Sequence, residues 1–341
     1  MYRILLLATL GAIAVNCGSG GSSNKKPADN PTAKNSTNQE KAEGSNGDSE
    51  SSNGDSPDSS KKNSKTPSKA KAGSPTFDKS YKFTVKARNF KRNGRNLSSD
   101  QYIPDVKGKD LEDLPLLLYS HGLRMNKKDI ASILEVIASK GIHIISVNSP
   151  NPDSDQEVKE KGKDLISIAE ELEAEPSNTI LMGKSLGAAA IMHALQESAD
   201  DYAGGIAMAP PFFPLQKYKL LPKYPYPRPL TIIHGSLDQL APYQDVKDFL
   251  DGSLDMLDKD GSGTENELVT LETIKDGTHT GFSDKYRDVD VAGTEMTTCI
   301  GVNLIVGAGL DCKAPSNPLS VRAQQKKTTT LILKAISRLL D

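Results

Sequence analysis

Thr179-Ile180-Leu181-Met182-Gly183-Lys184-Ser185-Leu186-Gly187-Ala188-Ala189-Ala190 is the stretch on which the fold turns. Its first four residues suit a buried strand and its last residues an Ala-rich helix, with Gly-Lys-Ser-Leu-Gly between them. A strand that passes into a helix through G-x-S-x-G is the context of a nucleophile elbow, in which Ser185 sits in a sharp, strained turn at a helix N-terminus. Gly183 and Gly187 suit that turn because side chains there would meet the neighbouring strand and helix. The plainer alternative is a Ser that only caps the helix.

A serine hydroxyl is a weak nucleophile until a base takes its proton, so a His backed by a carboxylate is required. The five His stand at 121, 143, 193, 234 and 279. His279, in Ile274-Lys275-Asp276-Gly277-Thr278-His279-Thr280-Gly281-Phe282, follows an apolar run and lies beyond a well-placed acid. His193 falls two turns into the helix after Ser185, His143 begins a strand and His234 ends one, so these three are read as packed or surface side chains. The acid is Asp238, in Leu230-Thr231-Ile232-Ile233-His234-Gly235-Ser236-Leu237-Asp238, where a strand and a Gly turn deliver a carboxylate to the sheet edge from which Ser185 also emerges. Asp245, inside the next expected helix, and Asp276, too near His279 in the chain, are the rivals. An oxyanion hole completes the set, because charge developing on a carbonyl oxygen must meet fixed donors. The backbone N–H groups of Leu186 and of Leu123, after the strand ending Ser120-His121-Gly122, are the candidates.

Outward from these motifs the pattern repeats. Apolar runs at Leu114 to Ser120, Ile142 to Val147, Thr179 to Met182, Gly204 to Ala209, Leu230 to His234 and Leu268 to Ile274 alternate with helical patterns at Lys127 to Lys140, Lys163 to Leu172, Leu186 to Glu197 and Tyr243 to Leu257. Continuous apolar strands separated by helices are what a mostly parallel sheet covered on both faces requires. Tyr81 to Phe90 reads as an antiparallel edge strand, Asp100 to Pro104 as a short second one, and Arg322 to Leu340 as the last helix.

Residues 114 to 341 resemble a serine hydrolase of the α/β-hydrolase superfamily, in pattern near the lidless branch of dienelactone hydrolases, platelet-activating-factor acetylhydrolase-like proteins, chlorophyllases and cutinase-like polyester hydrolases. Ser-His-Gly-Leu at 120 to 123, Gly-Lys-Ser-Leu-Gly at 183 to 187, Pro-Leu-Thr-Ile-Ile-His-Gly-Ser-Leu-Asp at 229 to 238 with Ala-Pro at 241 to 242, and Gly-Thr-His-Thr-Gly-Phe at 277 to 282 carry the resemblance. It implies an α/β-hydrolase fold with no large cap domain, a Ser185, Asp238, His279 triad in the chain order Ser, acid, His, and ester hydrolysis through an acyl-enzyme with no cofactor and no metal. Lys184 departs from the His, Trp or Tyr usual before the nucleophile. A serine peptidase of the same fold and a catalytically silent surface-binding lipoprotein are the alternatives.

The 341 residues carry 42 basic against 44 acidic side chains and a net charge of -2, which offers no field for gripping phosphate backbones. No nucleic-acid partner is expected, and the chain is read as a monomer acting on a small acyl ester, lipid or polyester. A mean hydropathy of -0.47 makes the chain look polar. From Gly18 to Thr76, however, there is no Val, Ile, Leu, Met, Phe, Tyr, Trp or Cys. Removing that tract and the N-terminal leader raises the hydrophobic share to about 40%, enough for one large domain over residues 77 to 341. Residues 18 to 76 are read as a disordered tether, with a coil reach of about 40 Å. Residues 1 to 17 hold Arg3 and an apolar run from Ile4 to Val15, too short for a span of about 20 residues and suited to a signal peptide. Ala14-Val15-Asn16-Cys17 resembles the lipobox of bacterial lipoproteins, with Asn16 outside the strict pattern. That resemblance implies lipid on Cys17 and an exported protein anchored to a bacterial membrane.

Three smaller features complete the reading. Cys299 and Cys312 can pair as a disulfide in an exported chain. Pro210 to Pro229 holds Phe212, Phe213, Tyr218, Tyr224 and Tyr226, readable as an aromatic rim to the active site or as ordinary packing. Asp258 to Glu265 resembles the first half of an EF-hand loop, but Val269 occupies the twelfth position, which favours a solvated turn.

Overall fold

The computed structural model describes residues 77–150, 156–212, 226–251 and 268–341. The expected signal peptide, Cys17, the tether, Phe213, Tyr218, Tyr224, the end of the helix expected to reach Leu257 and the EF-hand-like stretch lie outside them.

Asn93 and Gly94, both at positive φ, turn the chain between β1 (Phe83–Arg92) and β2 (Arg95–Pro104). Asn-Gly is the pair that a two-residue hairpin demands, since both central residues must adopt φ above zero. The two short strands expected here are therefore one hairpin with ten-residue arms. β2 runs antiparallel to β4 (His143–Asn148), and from there the sheet is parallel. β3 (Leu116–Ser120), β5 (Thr179–Lys184), β6 (Gly204–Met208), β7 (Leu230–Gly235) and β8 (Val269–Ile274) complete eight strands in the order β1-β2-β4-β3-β5-β6-β7-β8. This is the α/β-hydrolase fold: one mostly parallel sheet, helices on both faces, and 20 residues from Pro210 to Pro229 where a large cap would need many more.

Side chains alternate across the sheet, so each strand feeds two cores. Leu116, Leu118, Ile145, Leu181, Ala207 and Ile232 pack with α2 (Gln156–Glu171), α3 (Leu186–Glu197) and α4 (Tyr243–Leu250). Leu117, Tyr119, Ile144, Ile180, Met182 and Ile233 pack with α1 (Ala131–Ala138) and α6 (Val321–Leu340). Helix α2 begins seven residues before the expected start and is tied to the hairpin by ion pairs from Arg92 (2.7 Å) and Arg95 (3.0 Å) to the buried Asp164. Phe212 and Tyr226 belong to the core: Phe212 lies 4.7 Å from the Phe249 ring, and the Tyr226 hydroxyl donates to the Met192 carbonyl at 2.5 Å. For these two the packing reading holds.

One further helix, α5 (Val291–Val306), was not anticipated. Asp290 caps it by accepting from the Ala292 and Gly293 N–H groups, and Gly307 ends it in the left-handed region. The Cys299–Cys312 disulfide joins this helix to the strand-less segment that follows.

Candidate active site

The turn from β5 into α3 forces Ser185 to φ 52° and ψ -123°, a conformation an L-residue adopts only under constraint. Two close approaches impose it. A Cβ at Gly183 would lie 2.2 Å from the Gly187 carbonyl oxygen, and one at Gly187 would lie 2.1 Å from the Ser120 carbonyl oxygen. The Ser185 N–H donates to the Met208 carbonyl at 2.8 Å, which fixes the turn to β6. The loop after β3 crosses beside it, so that a Cβ at Gly122 would lie 3.2 Å from the Ser185 Cβ. Leu123 follows in that loop. Leu186 opens α3, whose first N–H groups have no partner within the helix.

Asp238 and His279 stand at the ends of β7 and β8, on the edge where Ser185 leaves β5. The two turns are locked together: the Leu237 N–H donates to the Gly277 carbonyl at 2.8 Å, and the Ser236 N–H to the Ile274 carbonyl at 3.0 Å. The Asp238 side chain is fully buried. Its Oδ1 accepts from the Leu240 and Ala241 N–H groups, and its Oδ2 from His279 Nδ1 at 2.9 Å. Burial works against the charge of this carboxylate, but the attraction and hydrogen bond of His279, with the nearby His234 ring, hold Asp238 below the usual aspartate range. A ring that donates from Nδ1 leaves Nε2 free to accept a proton. Of the two rival acids, Asp245 lies on α4, and the Asp276 carbonyl is bonded to the Leu319 N–H.

Three of the other four His residues have contacts of their own. His121 contacts the Gly122 carbonyl through Nδ1 (2.8 Å) and the Ser149 carbonyl through Nε2 (3.2 Å), while Lys161, buried on α2, donates to the His121 carbonyl at 3.3 Å. Burial and the Lys161 charge push His121 down to about 4, so the ring is neutral at pH 7 and positions the loop. His143 faces the Gln101 amide at 2.9 Å. His234 is fully buried, with Nε2 3.8 Å from the second oxygen of Asp238, closer to the site than the sequence suggested.

Lys184 turns inward. Its ammonium pairs with Asp129 at 3.0 Å, both side chains at most 2% exposed. Asp129 also accepts from the Ser283 hydroxyl, and its carbonyl from the Asp284 N–H at 2.8 Å, so the residue before Ser185 is tied to the segment after His279. Gln324 on α6 grips the same segment, accepting from the Thr278 N–H (2.9 Å) and donating to the Thr278 carbonyl (2.8 Å). Neither Asp129 nor Gln324 carries a sequence signal, because each looks like a solvent-facing polar residue until the chain folds. Among the described residues no group of three or more His, Cys, Asp or Glu is placed to hold a metal.

No protein-family model matches this chain, and no curated protein matches it either. Solved structures do. Est1E from Butyrivibrio proteoclasticus aligns at 14% identity and a TM-score of 0.45, covering 65% of this chain and 99% of its own. XC6422 from Xanthomonas campestris, described as an α/β serine hydrolase without a lid, aligns at 18% identity and 0.43, covering 69% and 97%. The acylaminoacyl peptidase of Pyrococcus horikoshii aligns at 16% identity and 0.47, covering 76% and 44%.

Proposed function

We propose that this protein is a serine hydrolase that cleaves carboxylic esters through an acyl-enzyme. The observation that carries the proposal is the His279 ring held through Nδ1 by the buried Asp238, on the same sheet edge as Ser185 in its strained elbow. In this reading His279 Nε2 takes the Ser185 proton as the hydroxyl attacks the ester carbonyl. The alcohol leaves with that proton, and a water activated by the same nitrogen then releases the acid. Asp238 keeps the ring in its working tautomer and stabilises the imidazolium. The backbone N–H groups of Leu186 and Leu123 receive the oxyanion, each worth about 10² to 10³ in kcat. No cofactor enters the scheme, and the enzyme acts as a monomer.

The test is labelling with an active-site-directed fluorophosphonate beside a chain-length series of aryl esters and a peptide series. Wild type is expected to be labelled and to turn over esters, and Ser185→Ala to do neither. An unlabelled, inert wild type would end the proposal, and peptide cleavage alone would reassign it to a peptidase.

We place the enzyme outside the cell, tethered by residues 18 to 76 and by lipid on Cys17. Acyl chains would hold it there, each buried methylene contributing about 0.8 kcal/mol. Incorporated fatty acid is expected to vanish in Cys17→Ser; its persistence there would refute the anchor.

A further inference from the structure

Glu295 lies on α5, fully buried, in a stretch the triad does not use. Its carboxylate meets both loops of the acid–base pair. Oε1 accepts from the His279 N–H at 3.0 Å and from the Gln239 N–H, the residue after Asp238, at 3.2 Å. Oε2 accepts from the Thr280 N–H at 2.9 Å and the Thr280 hydroxyl at 2.7 Å. One side chain thus fixes the backbone on which His279 stands and the backbone beside Asp238.

The helix that supplies Glu295 is itself anchored against the Asp238 loop. Cys299, one turn further along α5, places its sulfur 3.7 Å from the Gln239 carbonyl oxygen, and across the disulfide the Lys313 N–H donates to the Gln239 side chain at 2.9 Å. Gln239 is therefore held at its N–H by Glu295 and at its side chain by Lys313, groups on either side of one covalent bridge, with the disulfide sulfur only in contact with its carbonyl.

Resting on the serine-hydrolase reading above, we infer that Glu295 is a positioning residue that clamps the Asp238 and His279 loops in one register, so that the ring meets its carboxylate in the geometry the reaction needs. A buried carboxylate is costly unless donors meet it, and here four do. Burial, with the Asp238 charge nearby, pushes Glu295 above the usual glutamate range, and the hydrogen bonds from Thr280 oppose that shift. An amide in its place would turn an N–H group toward other N–H groups and release at least one loop. Displacements of about 1 Å in a catalytic group can cost about 10²-fold in rate.

The experiment compares Glu295→Gln with wild type by amide hydrogen exchange and by ester kinetics. The Gln239, His279 and Thr280 amides are expected to exchange at least tenfold faster in the variant while those of β5 keep their rate, and kcat to fall tenfold or more with KM within threefold. Unchanged exchange at the three amides, or an unchanged kcat, would overturn the inference. If wild type is neither labelled by fluorophosphonate nor active on esters, the hydrolase reading fails, and the exchange measurement alone decides the clamp. Should Glu295→Gln not fold, Thr280→Val, which deletes one donor, carries the same exchange test at the His279 and Thr280 amides: faster exchange supports the clamp, and the wild-type rate refutes it.

Discussion

The backbone of Ser185 is held where a serine would not go by choice. Positive φ with ψ near -123° belongs to glycine, and an L-residue there costs about 1 to 3 kcal/mol. The surrounding packing keeps it there, since Gly183 and Gly187 let two backbones approach within a distance no Cβ would permit. Ser185→Gly is therefore expected to be more stable than Ser185→Ala by about 1 to 3 kcal/mol while both are inactive. Urea unfolding of the two variants measures it, and equal stabilities would show the turn to be unstrained. Gly-Lys-Ser-Leu-Gly displays this residue openly. Lys184 beside it shows the opposite: it stands out in the sequence as a departure, yet only the fold reveals Asp129 as its buried partner. Such a pair is at best weakly stabilising, and removing one member leaves a buried charge that costs about 3 to 5 kcal/mol.

At the scale of elements, legibility followed how local the determining physics is. The parallel strands were readable because each is an unbroken apolar run, and the elbow because Gly-x-Ser-x-Gly sits between a strand and a helix. The second arm of the hairpin gives little strand signal at its start because Leu97 is the one apolar residue from Arg95 to Ser99; the Asn93-Gly94 turn is the available signal. Helix α5 was not legible. Its apolar residues do not gather on one stripe: Cys299 is buried, while Leu304 is 72% exposed. Part of its hold on the domain is the disulfide, which closes a loop of 14 residues and in the chain-entropy account is worth about 3 kcal/mol. The double variant Cys299→Ser, Cys312→Ser is expected to melt about 6 to 12 °C lower by calorimetry, at about 2 to 4 °C per kcal/mol for a domain of this size. A shift under about 2 °C would mean that packing and Glu295 hold α5 unaided.

For the molecule as a whole, two cores flank one sheet, and groups buried in a neutral state set its response to acid. His121 and His143 are each pushed down to about 4, first by burial and then by Lys161 and Arg88 respectively. Because these folded values lie below the unfolded value of 6.5, the unfolded chain binds the extra protons. The stabilisation is complete above pH 6.5 and is lost as pH falls from 6.5 toward 4, at up to about 3 kcal/mol for each ring. Denaturant unfolding between pH 7.5 and 4.5 is expected to show this slope, and His143→Gln to flatten it; a stability independent of pH over that range would contradict the assignment. The amino-acid sequence by itself determined the strand and helix alternation, the elbow, and the identities of Ser185, Asp238 and His279 as candidates, because apolar periodicity and turn chemistry act between near neighbours in the chain. Tertiary structure alone decided that His279 Nδ1 meets Asp238, that Lys184 pairs with Asp129, and that Glu295 and Gln324 grip the His279 loop. Those contacts join residues 16 to 55 positions apart, and a buried polar group has a partner only after the sheet has brought its loops to one edge.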